Sequence, residues 1–393
     1  MVHQVAAQLD APATAARDTV GVFFDPPTHH LFNNRLFDRA SNPFAGDDIL
    51  APYVAVRDRL EKSGITAQTA DFLPARPDGR RHLLISFGAP DRLVSHSVQK
   101  YIALSRRPDV VLSAFFAMEC PNVEPRMFEA LPTLAKYFAR VFSWSDTQAL
   151  LPFTGAPVEV QHFCWPQSFD AVHDQLWSRQ DHRKFLVMMN ANKLPRLTVN
   201  ELYTARLQAV QFFEQFGEVD VYGRNWGGMP TRVGKTRTPF ALRNLAPPLW
   251  RLKQRLWPNP LYSAAARASR GPAASKSSTI AHYRFALCFE NSMLKGWITE
   301  KIFDCFFAGT VPVYWGAPDI LDWVPAECFI DMRRFEDFAD LRAFLTTLAP
   351  AAEQRYRDAA RDYVQSSRFT PFRPTTFADV IARTLSADTG FAL

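Results

Sequence analysis

The sequence has few cysteines and no long apolar run. The five cysteines are scattered and never in CxxC spacing, which disfavours a disulfide framework and a zinc ribbon and fits a reducing cytosol. The longest stretch without a charged residue, Cys305 to Pro318, is too short to span a bilayer, which takes roughly 20 apolar residues. Residues 1–18 lack a basic segment followed by an apolar core, so we expect no signal peptide or membrane anchor.

Several sequence signatures are also missing. The histidines have no HExxH spacing and no GxGxxG follows an apparent strand, so a zinc protease and a dehydrogenase are poor interpretations. No motif of the RRM, KH or helix-turn-helix type occurs, which argues against a nucleic-acid-binding protein. We therefore expect no metal, no organic cofactor and no nucleic-acid partner.

Basic charge is present, and it is concentrated in one segment. The chain has 45 basic and 39 acidic residues, a formal net charge of +6. Residues 224–276 contain eleven of the basic residues and no Asp or Glu, so the rest of the chain is net acidic. This basic insertion has three interpretations: a lid over a bound donor, a patch for an anionic membrane surface, or a solvated insertion.

The hydrophobic pattern predicts two α/β units. Short apolar runs that alternate with helical patterns indicate parallel sheets with crossover helices, and two such units suggest a ligand cleft between them. In the first unit the predicted strands are Val20–Phe24, His82–Phe87 and Val110–Phe116, with a helix over Ile49–Leu60. In the second unit the predicted strands are Phe185–Met189, Val219–Tyr222, Ala286–Phe289 and Val311–Trp315, with helices over Glu201–Phe216 and Glu300–Phe307.

The stretch from Tyr283 to Pro318 carries the most chemical information. A buried strand delivers Glu290-Asn291-Ser292 at its carboxyl end, and a mobile-looking loop containing Gly296 follows. Thr299 is a good N-cap for the next helix, whose N-terminus favours an anion. With the charges of Glu300 and Lys301 beside it, this set of groups suits a sugar ester of a nucleoside diphosphate.

The same stretch resembles the α-1,3/1,4-fucosyltransferases of glycosyltransferase family 10. That family is recognised by a FENS segment, an aromatic residue followed by TEK, and a strand of the form AG-x-VP-V-x-x-G-x-P. The corresponding residues are Phe289-Glu290-Asn291-Ser292, Trp297, Thr299-Glu300-Lys301 and Ala308 through Pro318. Trp297 stands where tyrosine is usual, which keeps a stacking surface and removes a hydroxyl donor.

The resemblance implies a GT-B fold, GDP-fucose as the donor, and transfer with inversion of the fucose anomeric carbon. Lys301 would pair with the diphosphate, and Asn291, Trp297 and Glu300 would line the donor site. Lys276, in a turn of the form RG…K, is a further phosphate-binding candidate. Because Arg206, Lys301 and the helix dipole can neutralise the leaving diphosphate, no metal is needed.

A second resemblance covers Phe185 to Arg224. The family places a phosphate-binding arginine on the helix after the first strand of the donor domain, and this chain offers Arg196 and Arg206. The spacing from Arg206 to the VDVYGR strand matches the family better. The alternative interpretation is structural. On a helix whose Leu202, Val210 and Phe213 face inward, Arg206 would be a solvated or salt-bridged residue without a role in phosphate binding.

A third, looser resemblance supplies a general base. Glu119 follows an apolar strand in the sequence Phe116 to Pro121, which is similar to the family's Glu-Ser-Pro segment with cysteine in place of serine. An inverting transfer needs a carboxylate within hydrogen-bond reach of the attacking hydroxyl. Glu119 is our candidate, and Glu124 is the alternative.

We therefore predict a metal-independent fucosyltransferase of the bacterial type, with an α-1,3 linkage to a GlcNAc- or Glc-type sugar of a glycan acceptor. Predicted domains are an acceptor-side domain over 1–175, a donor domain over 176–365 with the insertion 224–276, and a tail over 366–393. The expected location is the cytoplasm, peripheral at a membrane if the insertion binds one. The alternatives are another GT-B nucleotide-sugar transferase and, less favoured, a nucleic-acid-binding protein.

Overall fold

The computed structural model describes residues 20–42, 48–89, 94–178, 183–195, 199–234 and 245–393, which form two α/β units. The strands are β1 Val20–Asp25, β2 Ala67–Thr69, β3 Arg81–Ser86, β4 Val110–Ala117, β5 Val141–Ser143, β6 Gln161–His162, β7 Lys184–Met189, β8 Lys193–Leu194, β9 Val219–Tyr222, β10 Thr231–Arg232, β11 Tyr283–Phe289, β12 Val311–Trp315 and β13 Ile330–Asp331. The helices are α1 Ala51–Glu61, α2 Val94–Leu104, α3 Pro125–Leu134, α4 Thr147–Thr154, α5 Asp174–Trp177, α6 Tyr203–Glu214, α7 Ala246–Leu256, α8 Pro260–Ala268, α9 Lys276–Ile280, α10 Glu300–Ala308, α11 Ile320–Trp323, α12 Phe338–Thr347, α13 Pro350–Gln365 and α14 Pro374–Thr389.

The N-terminal unit is built on a six-stranded parallel sheet of order β2-β1-β3-β4-β5-β6. Its central strand β4 is buried along almost its whole length, as expected for a parallel strand covered on both faces. Because the carboxyl ends of parallel strands meet at one edge of a sheet, the residues after β4 lie where ligands bind in folds of this kind.

The C-terminal unit is built on a five-stranded parallel sheet of order β13-β12-β11-β7-β9. One face packs against α10 and α13, and the other packs against α6, α8 and α12, so each face has its own hydrophobic cluster. The strands β8 and β10 form a separate two-stranded parallel ribbon beside this sheet. The predicted α/β class with parallel sheets is therefore confirmed.

The last helix, α14, packs on the N-terminal unit. Phe377 contacts the rings of Tyr53, Phe87 and Phe116, and Ile381 lies in the same hydrophobic cluster. The segment 366–393 was predicted as a tail. In the structure its helix α14 packs in the core of the first unit, whereas Phe369 and Phe372 pack in the core of the second. The predicted domain boundaries, one after residue 175 and one between residues 365 and 366, remain predictions.

The predicted elements match the structure closely in their central parts. The strands Val219–Tyr222 and Val311–Trp315 have the predicted bounds, and the predicted helix over 201–216 is two residues shorter at each end. Within the part of the chain that is described, none of the helices has the length and apolar character needed to cross a bilayer.

Candidate active site

A cavity of about 470 Å³ lies between the two units and brings three predicted site residues together. Its wall on the N-terminal side is mainly apolar, with two carboxylates, and its opposite wall is charged. The lining side chains that bear on the chemistry are Tyr53, Phe87, Met127, Trp165, Glu119 and Glu124 from the first unit, and Lys276, Glu300 and Asp304 from the second. The predicted cleft between two α/β units is therefore present.

Glu119 lies in this cavity, two residues beyond the end of β4. Its Oε1 accepts a hydrogen bond from the backbone N–H of Cys120 at 2.9 Å, which fixes the carboxylate next to the strand end. Burial raises the pKa of the Glu119 carboxyl above its usual value, and the ammonium groups of Lys193 and Lys301 oppose this rise only in part. A partly buried carboxylate with a raised pKa is the type of group that serves as a general base.

Glu290 organises the segment that the sequence singled out after β11. Its carboxylate is fully buried and accepts hydrogen bonds from the Thr299 backbone N–H at 2.8 Å and from the Thr299 hydroxyl. The Lys301 Nζ lies 3.1 Å from the same carboxylate. Thr299 occupies the N-cap position of α10, but its hydroxyl makes no capping bond because it is bound to Glu290. The predicted N-cap position is right, and the capping role of its side chain is wrong.

Two lysines and two carboxylates meet at the start of α10. Lys276, the first residue of α9, pairs with Asp304 and lies 3.4 Å from Glu300. Burial alone would raise the pKa of Glu300, but the positive charges of Lys301 and Lys276 lower it well below its usual range. Burial likewise opposes the charge on Lys276, yet Asp304 and Glu300 raise its pKa. Lys276 and Glu300 are therefore ionised at neutral pH.

Arg206 is buried beneath this cluster. Its Nη2 donates to the backbone carbonyl of Phe289 at 2.6 Å and to Oδ1 of Asn291 at 3.0 Å. The guanidinium also lies 4.8 Å from the ring centre of Tyr203, and only 2% of Arg206 is exposed. Arg206 thus ties α6 to the carboxyl end of β11, and its predicted phosphate contact remains a prediction. The rival candidate, Arg196, lies outside the described residues.

Trp297 lies on the N-terminal side of the interface between the units. Its ring packs against Trp144 at a centroid distance of 4.5 Å and against Trp165 at 5.5 Å, and it is 2% exposed. Since Trp165 lines the cavity, Trp297 supports the cavity wall from behind. Its predicted part in stacking on the donor stays a prediction. The loop that contains it was expected to be mobile, and that expectation is wrong, because Leu294 and Trp297 are buried in the core of the first unit.

Gly296 permits this packing, and its replacement by alanine is expected to be costly. It adopts a φ of +76°, and a Cβ there would lie 2.0 Å from the carbonyl oxygen of Trp144. Because backbone atoms cannot move aside locally, we expect Gly296→Ala to destabilise the chain by roughly 3 kcal/mol or more and to separate the loop from the first unit. Thermal unfolding monitored by tryptophan fluorescence measures the loss.

Gly64 provides the matched control for this substitution. It has the same φ of +76°, and a Cβ added there would meet no atom within 4 Å. Gly64→Ala therefore carries the left-handed backbone strain alone, about 1–2 kcal/mol. An equal loss of stability in the two variants would show that the close contact with Trp144 has no energetic weight.

Sequence reasoning missed two residues of the site. Lys193 forms β8 with Leu194, and its charge acts on Glu119. Asp304 is buried on α10 and pairs with Lys276. Lys193 follows β7 at the carboxyl edge of the sheet, so the position of polar residues after a buried strand could have indicated it. No sequence signal indicated Asp304. It lies among the apolar residues of α10, and the sequence does not reveal that Lys276 is its partner.

Comparison with known proteins finds a family match within the second unit. Residues 252–365 match the model for the C-terminal part of glycosyltransferase family 10 (fucosyltransferase). The matched segment includes Lys276, Asn291, Trp297, Glu300 and Lys301, so the predicted resemblance is confirmed for the part of the chain that carries these residues.

Individual relatives match this chain over shorter stretches. Human alpha-(1,3)-fucosyltransferase 7 is 36% identical over 166 residues, which is 39% of this chain and 47% of that protein. The Helicobacter pylori alpha-(1,3)-fucosyltransferase FucT is 38% identical over 64 residues, 16% of this chain and 13% of that protein. The chain therefore matches less than half of the length of either relative.

The fold also resembles that of solved glycosyltransferases. The Anabaena Alr3699/HepE protein in complex with UDP has a TM-score of 0.52 at 12% identity, over 93% of this chain and 100% of that one. At this identity the likeness concerns the fold alone. It confirms the predicted GT-B fold class.

Proposed function

We propose that this chain is an inverting fucosyltransferase that moves L-fucose from GDP-fucose to a hydroxyl of a glycan acceptor. One observation carries the proposal: Glu119 shares a single cavity with Lys276 and Glu300, which belong to the segment that matches the family 10 model. The finer assignment is an α-1,3 linkage to a GlcNAc- or Glc-type sugar. The names of the relatives support the α-1,3 linkage, and the acceptor sugar is proposed from the family resemblance alone.

In the proposed reaction, Glu119 takes the proton from the acceptor hydroxyl while that oxygen forms a bond to the fucose anomeric carbon. The bond from the same carbon to the phosphate oxygen breaks, and GDP leaves with the bonding electrons. Lys301 and Lys276 supply positive charge at the start of α10, where the helix dipole also favours the departing anion. Glu300 has its pKa held low, so it accepts hydrogen bonds and carries no proton for transfer.

Independence from metals is part of the proposal. Among the described residues, no group of three or more His, Cys, Asp or Glu side chains is placed to hold a metal ion. The positive charge that a metal would supply to a leaving diphosphate is available from the two lysines. Transfer that persists in excess EDTA would support this assignment, and loss of transfer that is restored by added Mg²⁺ or Mn²⁺ would contradict it.

A second candidate is transfer from a different nucleotide sugar. The observation that favours it is the likeness in fold to the Anabaena protein, whose crystal structure is a complex with UDP. Donor hydrolysis and transfer assays with GDP-fucose, GDP-mannose and UDP-glucose separate the two. Turnover with GDP-fucose supports the proposal, and turnover with a UDP-sugar alone would replace it.

The acid limb of the pH–rate profile is expected to depend on Glu119. A base must be unprotonated, so activity falls as the pH drops through its pKa. Burial raises that pKa above the 4.5 of an ordinary glutamate, which moves the limb to higher pH. Because the Lys193 charge opposes the rise in the Glu119 pKa, Lys193→Met should move the acid limb of the kcat/KM profile to still higher pH. Lys193→Arg keeps the charge and should leave the limb near its position in the wild type.

Glu124 and Lys301 are the other charged groups that act on Glu119, and both stay in place in these variants. A pH profile that is unchanged in Lys193→Met would show that the limb belongs to another group.

An anionic membrane surface is also a proposed partner. The basic insertion 224–276 supports it through its composition.

A further inference from the structure

The helix α7, within the basic insertion, presents a row of leucines to solvent. Leu245, Leu249, Leu252 and Leu256 are each between 53% and 60% exposed. Their spacings of four, three and four residues place them on one face of a helix. Trp257, which directly follows α7, is 70% exposed. Exposed leucines are ordinary when single, but four in a row beside a tryptophan form a continuous apolar patch.

The opposite face of α7 holds the helix to the protein. Trp250 packs against the ring of Tyr262 on α8 at a centroid distance of 5.8 Å, and the Gln254 side chain accepts a hydrogen bond from the Asn259 backbone N–H. Trp250 and Gln254 are four residues apart and lie on the side away from the leucines. The leucine face therefore points to solvent, because the opposite face of α7 already contacts Tyr262 and Asn259.

Basic residues border the leucine face on both sides. Arg251 and Arg255 lie on one side and Lys253 on the other, and all three are exposed. The sequence 224–276 contains no acidic residue, so no carboxylate of this segment neutralises them. An apolar stripe between rows of positive charge, with a tryptophan at its end, is the pattern of a helix that lies in the plane of a membrane interface.

We propose that α7 docks this protein on an anionic lipid bilayer, with the leucine face buried in the lipid and the basic residues at the headgroups. Charge complementarity selects this occupant. A second copy of the chain would bring the same positive charges face to face, which is unfavourable. The cleft beneath α7 includes Leu194, the chain neighbour of Lys193, so the bilayer would lie beside the ribbon that contains Lys193, whose charge acts on Glu119.

Flotation with lipid vesicles tests the proposal without reference to enzymatic activity. The full chain is mixed with vesicles of phosphatidylcholine alone or of roughly equal parts phosphatidylcholine and phosphatidylglycerol. We expect flotation with the anionic vesicles at low salt and a marked loss at high salt, because salt screens exposed charges. The double variant Leu249→Glu with Leu252→Glu should bind at least tenfold more weakly. The triple variant Arg251→Gln, Lys253→Gln and Arg255→Gln should bind roughly a hundredfold more weakly.

A matched control tests whether the position of the leucines matters. Leu321 on α11 is 49% exposed and lies outside the patch, so Leu321→Glu should float as the wild type does. Absence of wild-type flotation, equal flotation of the Leu249/Leu252 variant, or equal binding to neutral vesicles would each overturn the proposal. So would sedimentation data showing a dimer that the Leu249/Leu252 variant converts to a monomer, since the face would then be a self-association surface. Because these assays omit the donor, they stand or fall independently of GDP-fucose transfer.

Discussion

Glu119→Gln is expected to lower kcat by about 10²–10⁴ while leaving the affinity for GDP nearly unchanged. The amide keeps the size and polarity of the side chain but cannot accept the acceptor's proton. The loss corresponds to about 3–5 kcal/mol of transition-state stabilisation. Transfer kinetics at saturating GDP-fucose and calorimetric titration with GDP measure the two quantities separately.

Glu124→Gln is the control in the same cavity. Glu124 precedes α3 and is five residues from Glu119, so its substitution changes the local charge by the same amount. We expect a much smaller effect on kcat. A wild-type rate in Glu119→Gln together with a large loss in Glu124→Gln would transfer the role of base to Glu124.

Lys301→Met is expected to destabilise the fold as well as weaken GDP binding. Glu290 is fully buried, and Lys301 is the cation that compensates its charge at 3.1 Å. Removing one partner of a buried ion pair costs about 3–5 kcal/mol, because the other charge is left uncompensated. Chemical denaturation, followed in the presence and absence of GDP, measures both effects.

The double variant Glu290→Gln with Lys301→Met separates the two roles of the lysine. A neutral glutamine can still accept the bond from the Thr299 N–H, so we expect much of the lost stability to return. GDP affinity should stay low, since the cation is still missing. Lys295→Met is a surface control: this lysine pairs with Asp146 in solvent, and its loss should change stability little. Recovery of GDP affinity in the double variant would contradict a phosphate-binding role for Lys301.

The parts of the fold that could be predicted are those with a strong local signal. The strand Val311–Trp315 is an apolar run bounded by Gly309 and Gly316, and its bounds follow from those residues. Strands such as Ala67–Thr69 and Gln161–His162 were missed, because two or three residues show no periodicity. Their pairing is decided by neighbouring strands far away in the sequence.

The residues of the candidate site also divide into those with a local sequence signal and those without one. Glu119 was found because it follows a strand and resembles the family's Glu-Ser-Pro segment, Glu300 because it begins a helix, and Lys276 from its RG…K turn. The structure places all three in one cavity. The bond from Arg206 to the Phe289 carbonyl joins residues 83 positions apart and leaves no trace in either local sequence. The contact of Trp297 with Trp144 was hidden for the same reason: the loop after β11 packs into the other unit.

The return of α14 to the first unit also has a consequence for how the chain folds. Strands β1 to β6 are complete by residue 162, but the face that Phe377, Ile381 and Leu385 cover stays exposed until the chain has grown past them. During synthesis the second unit can therefore finish its core before the unit that precedes it. Contacts between such distant positions form slowly because the intervening loop is long. We therefore expect the core of the first unit to be completed only after the second unit has brought α14 within reach.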